Sequence, residues 1–249
     1  MATSTTLARL RNVTVRFGET VALRDVDLCI SVGERVGLLG PSGAGKSTLL
    51  GVLGARVVPD KGEAEILGTA SHDLRGRSAR AVRGRIGTVH QDLALTDRLR
   101  VIHNVNAGRL AEWSTLRALR SLLIPVERAR VEAVLEAVDI ADKIDEPTSD
   151  LSGGQRQRVA IARLLIQDPD LVLADEPAAS LDPELGRLMM QLLRDVAATD
   201  ARALVVSLHD PGLAMSTCNR LVGLREGRVV FDRPIDDVSA TDIEAVYHR

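Results

Sequence analysis

Gly40-Pro41-Ser42-Gly43-Ala44-Gly45-Lys46-Ser47-Thr48 is the stretch whose reading decides the fold. It follows the short apolar run 36–39, which has the pattern of a buried strand. It leads into Thr48-Leu49-Leu50, where an apolar spacing suited to a helix begins. Strand, glycine-rich loop and helix in that order make a phosphate cradle. The glycines let successive backbone N–H groups turn inward on one anion, and the helix points its positive end at the same spot. Lys46 supplies a compact charge for β- and γ-phosphates, and Ser47 a hydroxyl for Mg²⁺. A glycine-rich turn without a ligand leaves the lysine and the serine unexplained. The stretch predicts a nucleoside-triphosphate site.

The chain around it has 249 residues, room for one large α/β domain. Hydrophobic residues at 45% and charged residues at 27% are ordinary for a soluble globular protein. A formal net charge of −2 gives no overall basic field, so nucleic acid is not an expected partner. Cys29 and Cys218 are the only cysteines and stand far apart in the chain. That usage fits a reduced, cytosolic setting. Residues 1–11 lack the apolar core of a signal peptide. No apolar run approaches the roughly 20 residues of a membrane span. Service to a membrane process would therefore be from its surface, through a partner.

Ahead of the loop, residues 7–17 and 21–30 alternate like two strands around a Gly18-Glu19 turn. Phe17, Trp113, Phe231 and Tyr247 are all the aromatics. Phe17 ends the strand that precedes the loop, where its ring either stacks on an adenine or fills a core position; position alone leaves both open. Beyond the first helix, Pro59-Asp60-Lys61-Gly62 reads as a turn and 63–67 as a short strand. Arg75, Arg77, Arg80, Arg83 and Arg85 form a basic cluster, expected as a solvated helix face, with contact to a partner or to phosphate as the alternative. Residues 86–89 are another apolar strand, ending at His90-Gln91-Asp92.

From there to about Leu151 strand signals stop and helical patterns follow, including 126–140 with its Val131, Val134, Leu135, Val138 spacing. This block predicts a helical insertion at 92–155 in an α/β core made of 1–91 and 156–249. It closes on Leu151-Ser152-Gly153-Gly154-Gln155, ahead of a helical run over 156–166. A serine and two glycines at a helix start make a second anion site or a plain cap. Residues 171–174 read as a buried parallel strand ending in Asp175-Glu176-Pro177. Carboxylates at that end of a strand sit beside the phosphate loop of an open sheet. Asp175 suits Mg²⁺, and Glu176 suits polarising a water for attack on the γ-phosphate. His209 follows the buried strand 203–208, which puts its imidazole at the same crevice, able to hydrogen-bond the γ-phosphate. His72, His90, His103 and His248 are expected at the surface or an interface. Residues 221–224 and 229–231 flank Glu226-Gly227 as a hairpin, and 235–249 read as a short helical tail.

Together these elements resemble the ATP-binding-cassette ATPases over nearly the whole chain. Residues 40–47 match the Walker A loop, Gln91 the Q-loop, and Leu151-Ser152-Gly153-Gly154-Gln155 the cassette signature. Residues 171–176 match Walker B with the following glutamate, Ala179-Ser180-Leu181-Asp182 resembles the D-loop, and His209 the switch histidine. A finer resemblance is to phosphonate-importer ATPases. It rests on Ile102-His103-Asn104-Val105, Ala107-Gly108-Arg109-Leu110, Trp113-Ser114-Thr115-Leu116-Arg117-Ala118-Leu119, Leu221-Val222-Gly223-Leu224-Arg225 and Val230-Phe231-Asp232. Phe17 stands where the family usually has tyrosine, and His90-Gln91-Asp92 replaces a more aromatic, glutamine-rich run.

The resemblance implies an α/β fold: a P-loop NTPase (RecA-like) core with an antiparallel β subdomain and an inserted α-helical subdomain. It implies ATP and Mg²⁺, with Lys46, Gln91, Glu176 and His209 as catalytic groups and Ser47, Gln91 and Asp175 at the metal. The nucleotide would touch Phe17, the loop from Gly40 to Thr48, and Ser152, Gly153, Gly154, Gln155 and Asp182. It further implies a head-to-tail pair of copies, membrane-spanning permease subunits, a substrate-binding protein reached through them, and a place on the cytoplasmic face of the cell membrane. In physical terms the chain has two anion-binding helix starts, and only one belongs to its own phosphate loop. The competing readings are an importer motor for another small solute, such as an amino acid or metal chelate, and a non-transport cassette. The single cassette and the absence of sustained heptads disfavour the latter.

Overall fold

Gly18, with a φ of +60°, turns the chain between β1 (Thr6–Phe17) and β2 (Thr20–Ser31), a long antiparallel hairpin. The computed structural model describes residues 5–90, 92–124, 126–179, 183–197 and 202–247, with the backbone alone for Leu122 and Leu123. Gln91, Asp182 with Ser180 and Leu181 beside it, and His248 lie outside the described residues.

The chain continues through β3 (Arg35–Leu39), α1 (Lys46–Leu53), β4 (Lys61–Ile66), β5 (Thr69–Ala70), α2 (Gly76–Gly84) and β6 (Ile86–Val89). The helical block holds α3 (Val101–Asn106), α4 (Thr115–Leu123) and α5 (Arg128–Glu136), and it runs into α6 (Gly153–Gln167). Then come β7 (Leu171–Asp175), α7 (Pro183–Val196), β8 (Ala203–Leu208), α8 (Pro211–Thr217), β9 (Arg220–Arg225), β10 (Arg228–Pro234) and α9 (Ala240–Tyr247). One sheet has the order β2-β1-β4-β5 and is antiparallel throughout. The other has the order β10-β9-β3-β8-β7-β6, parallel from β9 to β6, with β10 closing one edge as an antiparallel hairpin. The phosphate loop leaves the C-terminal end of β3, which lies between β8 and β9. This is the α/β, P-loop NTPase core with an antiparallel β subdomain and a helical insertion that the sequence implied.

The strands at the centre of the parallel sheet are apolar on both faces because both faces are covered. Alternate residues divide between two cores. Leu171, Leu173, Ala203 and Val205 pack with α1, α2 and the antiparallel sheet. Val172, Ala174, Leu204 and Val206 pack with α6, α7 and, beyond them, Val101, Ile102, Val131 and Leu135 of the helical block. The expected division after residue 155 thus falls inside α6, one continuous helix whose apolar face serves the core and the insertion together.

Local departures from the sequence reading have identifiable causes. The turn expected at 59–62 is shorter, because Lys61 already pairs with Thr14 and opens β4. Gly62 adopts φ +83° there, and a Cβ would lie 2.3 Å from the Asn12 carbonyl oxygen. The helix expected over 126–140 spans only Arg128–Glu136, stopped as Asp139 enters the left-handed region at φ +57°. The arginine cluster lies on α2 and at its two caps, Arg75 and Arg85, and is exposed, yet it is not merely solvated. Arg80 donates to the carbonyls of Leu110, Ala111 and Trp113, and Arg83 to that of Ala55. His103 is half-buried, its Nδ1 2.9 Å from the Ser121 carbonyl oxygen, so it ties α3 to α4. His90 contacts Arg56, its Nε2 3.1 Å from Nη1.

Candidate functional site: a phosphate cradle beside two carboxylates

Two glycines in the left-handed region shape the loop, Gly43 at φ +79° and Gly45 at φ +103°. Any side chain at Gly45 would meet the Ala22 carbonyl oxygen at 2.6 Å, so both backbone angle and space require glycine. Gly45 is also the N-cap of α1 and offers no side-chain acceptor, which leaves the N–H groups of the first turn without a side-chain cap. Gly40 has ordinary backbone angles, but a Cβ there would lie 2.5 Å from the Leu224 carbonyl oxygen.

The loop lines a cleft of about 230 Å³ formed by Ser42, Gly43, Ala44, Gly45, Lys46, Ser47 and Thr48, with Thr20, Val21, Ala22 and Glu176 opposite. Gly40 and Pro41 take part through their carbonyls, which accept from Lys46 Nζ at 2.7 and 3.2 Å. Lys46 is buried, and burial pulls the pKa of its ammonium below the ordinary lysine value, while Glu176 and Asp175 oppose that pull. The β- and γ-phosphates of a nucleotide could replace the two carbonyls as acceptors.

Glu176 stands between Lys46 and His209. Its Oε1 is 2.5 Å from His209 Nε2 and 3.8 Å from Lys46 Nζ. Its backbone has φ +47°, an unusual angle for a residue with a side chain and of the kind that collects at functional sites. Asp175, the last residue of β7, aims Oδ1 at the Ser207 hydroxyl, 2.7 Å away. Among the described residues no cluster of three or more His, Cys, Asp or Glu side chains forms a metal cage. Ser47 and Asp175 nevertheless fit Mg²⁺, which is commonly held by one or two protein oxygens together with phosphate and water. A larger cleft of about 470 Å³ shares Glu176 with the first, is lined by His209 as well, and runs between α7 and α8. Its lining includes Ala178, Ala179, Pro183 and Leu213 together with the polar Arg187 and Ser216, and it does not reach the loop 42–48.

Phe17 is 57% exposed at the end of β1, beside Thr20 of the cleft wall, which removes the core reading of that residue. Ser152, Gly153, Gly154 and Gln155 sit at the start of α6, in a reciprocal cap. Gln155 N–H donates to Ser152 Oγ at 3.3 Å, and Ser152 N–H donates to Gln155 Oε1 at 2.9 Å. Among the described residues that line the phosphate cleft, none comes from this segment. Within one chain, then, Lys46, Ser47, Asp175, Glu176 and His209 gather at one place, and the signature residues stand apart.

Two contacts escaped the sequence reading. Ser207 donates to Asp175 and accepts from the Glu176 N–H at 2.9 Å. The signal was present, since Ser207 is the lone polar residue of the otherwise apolar strand β8. Tyr247 of α9 places its hydroxyl 3.3 Å from the His209 carbonyl oxygen. Nothing local in the tail's sequence marks that contact.

Comparison with known proteins agrees with the geometry. The family model described as "ABC transporter" matches residues 23–179. A phosphonates import ATP-binding protein PhnC of Anaeromyxobacter dehalogenans is 48% identical over 96% of this chain, and the chain spans only 47% of that relative's length. A phosphonates import ATP-binding protein PhnC 1 of Pseudomonas syringae is 43% identical, with 92% of this chain and 86% of the relative covered. Among solved structures, the ATP-binding cassette MJ0796, in a dimeric post-hydrolysis state bound to ADP and Pi, superposes with a TM-score of 0.74 at 32% identity. That match covers 92% of this chain and 98% of the other.

Proposed function

Since the chain belongs to the ABC transporter family, we propose that it is the ATP-hydrolysing motor subunit of an importer for phosphonate or a related phosphorus oxyanion. The observation that carries the enzymatic half is the convergence of Lys46, Glu176 and His209, with Glu176 Oε1 within 3.8 Å of both Lys46 Nζ and His209 Nε2. The solute half is supported by relatives named for phosphonate import over most of the chain.

In this reading Lys46 exchanges the Gly40 and Pro41 carbonyls for the β- and γ-phosphates, and the N–H groups of residues 43–48 cradle the rest. Phe17 stacks on the base. Ser47 and Asp175 hold Mg²⁺, which would balance phosphate charge. Glu176 takes the proton of the attacking water, and His209 steers Glu176 and contacts the γ-phosphate. Gln91 joins the metal and the water, and Asp182 the nucleotide facing it. A second copy of the chain supplies Ser152, Gly153, Gly154 and Gln155 to complete the site. Closure buries the nucleotide between the two copies, and hydrolysis removes the bridging phosphate and reopens them. The helical unit, 92–155, passes that motion to membrane-spanning permease subunits, which receive solute from a substrate-binding protein. The chain would then sit on the cytoplasmic face of the membrane. Among the described residues no helix is long and apolar enough to cross one.

The test is ATP hydrolysis by the reconstituted complex of this chain with its permease and binding protein. Stimulation by a phosphonate, and none by an amino acid or a metal chelate, is expected. The reverse preference would leave the motor and remove the solute.

A further inference from the structure

We propose that Ser207 is a positioning residue that fixes the metal-side carboxylate Asp175 and the base Glu176 relative to one another. The inference rests on the ATPase reading and adds a residue to it.

Ser207 belongs to β8 and is fully buried. β8 lies beside β7, and the register places Ser207 directly opposite Asp175. Its single hydroxyl makes two bonds of opposite sense. It donates to Asp175 Oδ1 at 2.7 Å and accepts the backbone N–H of Glu176 at 2.9 Å. One oxygen atom therefore spans two consecutive acidic residues whose side chains serve different tasks. The donated proton orients the Asp175 carboxylate, leaving Oδ2 for other work. The accepted bond anchors the peptide at which the chain turns into the left-handed region, φ +47°, which aims Glu176 at His209 Nε2 and Lys46 Nζ.

Energetics favour a positioning role over a packing one. Left-handed backbone at a residue with a side chain is strained and persists only where neighbours hold it. Burying a hydroxyl among the valines and leucines of β8 is itself unfavourable unless both its donor and its acceptor are used. An alanine would fill the space but leave the Glu176 N–H and Asp175 Oδ1 without this partner, so what the serine adds beyond packing is the pair of bonds.

The test compares Ser207→Ala and Ser207→Cys, which lack a strong hydrogen-bonding oxygen, with Ser207→Thr, which keeps one. Steady-state hydrolysis, binding of a fluorescent ATP analogue with and without Mg²⁺, and thermal unfolding are measured on the full chain. For alanine and cysteine, kcat should fall by about 10–100-fold, the size of one hydrogen bond to a charged group. Metal-free nucleotide affinity should stay unchanged, because the loop provides it, and the gain in affinity on adding Mg²⁺ should shrink. Ser207→Thr should restore most of both losses. The proposal is overturned if alanine and cysteine keep kcat within about twofold and the full Mg²⁺ gain, well below the loss of one such bond. It is overturned equally if their losses follow the drop in unfolding temperature and threonine restores neither. An unmutated chain without ATPase activity would sink the enzymatic reading instead, and Mg²⁺-dependent binding would still decide the role of Ser207.

Discussion

Replacing Glu176 by glutamine removes a charge without changing shape, and the structure sets what should follow. Glutamine can keep the φ of +47° as well as glutamate can, so the backbone strain at this position stays the same. What goes is the carboxylate 2.5 Å from His209 and 3.8 Å from Lys46. At 3.8 Å and an effective dielectric near 20, the Lys46–Glu176 attraction is about 4 kcal/mol before desolvation is subtracted. That attraction competes with phosphate for the same ammonium. ATP should therefore bind to Glu176→Gln as tightly as to the unmodified chain, or more tightly. Hydrolysis loses its base and should slow by about 10²–10⁴-fold, which corresponds to about 3–5 kcal/mol of transition-state stabilisation. The variant should also accumulate as an ATP-bound dimer, since closure no longer resets. Single-turnover phosphate release, ATP titration and sizing in the presence of Mg·ATP measure the three effects. Phosphate release within about threefold of normal would remove Glu176 from the chemistry, because a general base is worth far more. A large loss of ATP affinity would make it a binding group instead.

Lys46→Ala should weaken ATP binding at least about tenfold, the worth of a charge-assisted bond, and unchanged affinity by titration would mean the cradle works through backbone alone. Phe17→Ala should raise the ATP dissociation constant by about 1–3 kcal/mol if its exposed ring stacks on the base. Its melting temperature should barely move, and the opposite pattern would return Phe17 to a packing role. Leu135→Ala, in α5 and fully buried in the cluster that also holds β7 and β8, should cost about 2–5 kcal/mol in denaturant unfolding. The transition should remain single, since that cluster runs through α6, and two transitions would show that residues 92–155 unfold on their own.

Most of the site was legible because its chemistry is carried by residues close together in sequence. The loop 40–48 and the pair Asp175-Glu176 each follow an apolar strand, and a parallel sheet brings the ends of such strands together. His209 was placed by the same rule. What sequence could not reach were contacts set by register between distant segments. Ser207 faces Asp175 only because β8 pairs with β7 in one register, and Tyr247 reaches His209 only through the docking of α9. Arg80 and Arg83 read as a solvated face because backbone carbonyls of other segments leave no mark in local composition. The core reading of Phe17 fell only to its exposure, since the end of a strand serves a core or a ligand equally well.

The central claim, that two copies share each nucleotide, is tested most directly by ATP binding and hydrolysis in Gly153→Asp. A Cβ at Gly153 meets no atom within 4 Å, and the position is exposed in the first turn of α6. A carboxylate at a helix start is favourable to the helix, so the fold should tolerate it. Facing the γ-phosphate of a nucleotide held by the partner copy, the same carboxylate would repel it and block closure. The account predicts unchanged ATP affinity for the isolated chain, no ATP-dependent dimer and a collapse of hydrolysis. Lost affinity in the isolated chain would place the signature at its own nucleotide, and full hydrolysis with intact affinity would remove the signature from the site altogether; either result contradicts the account.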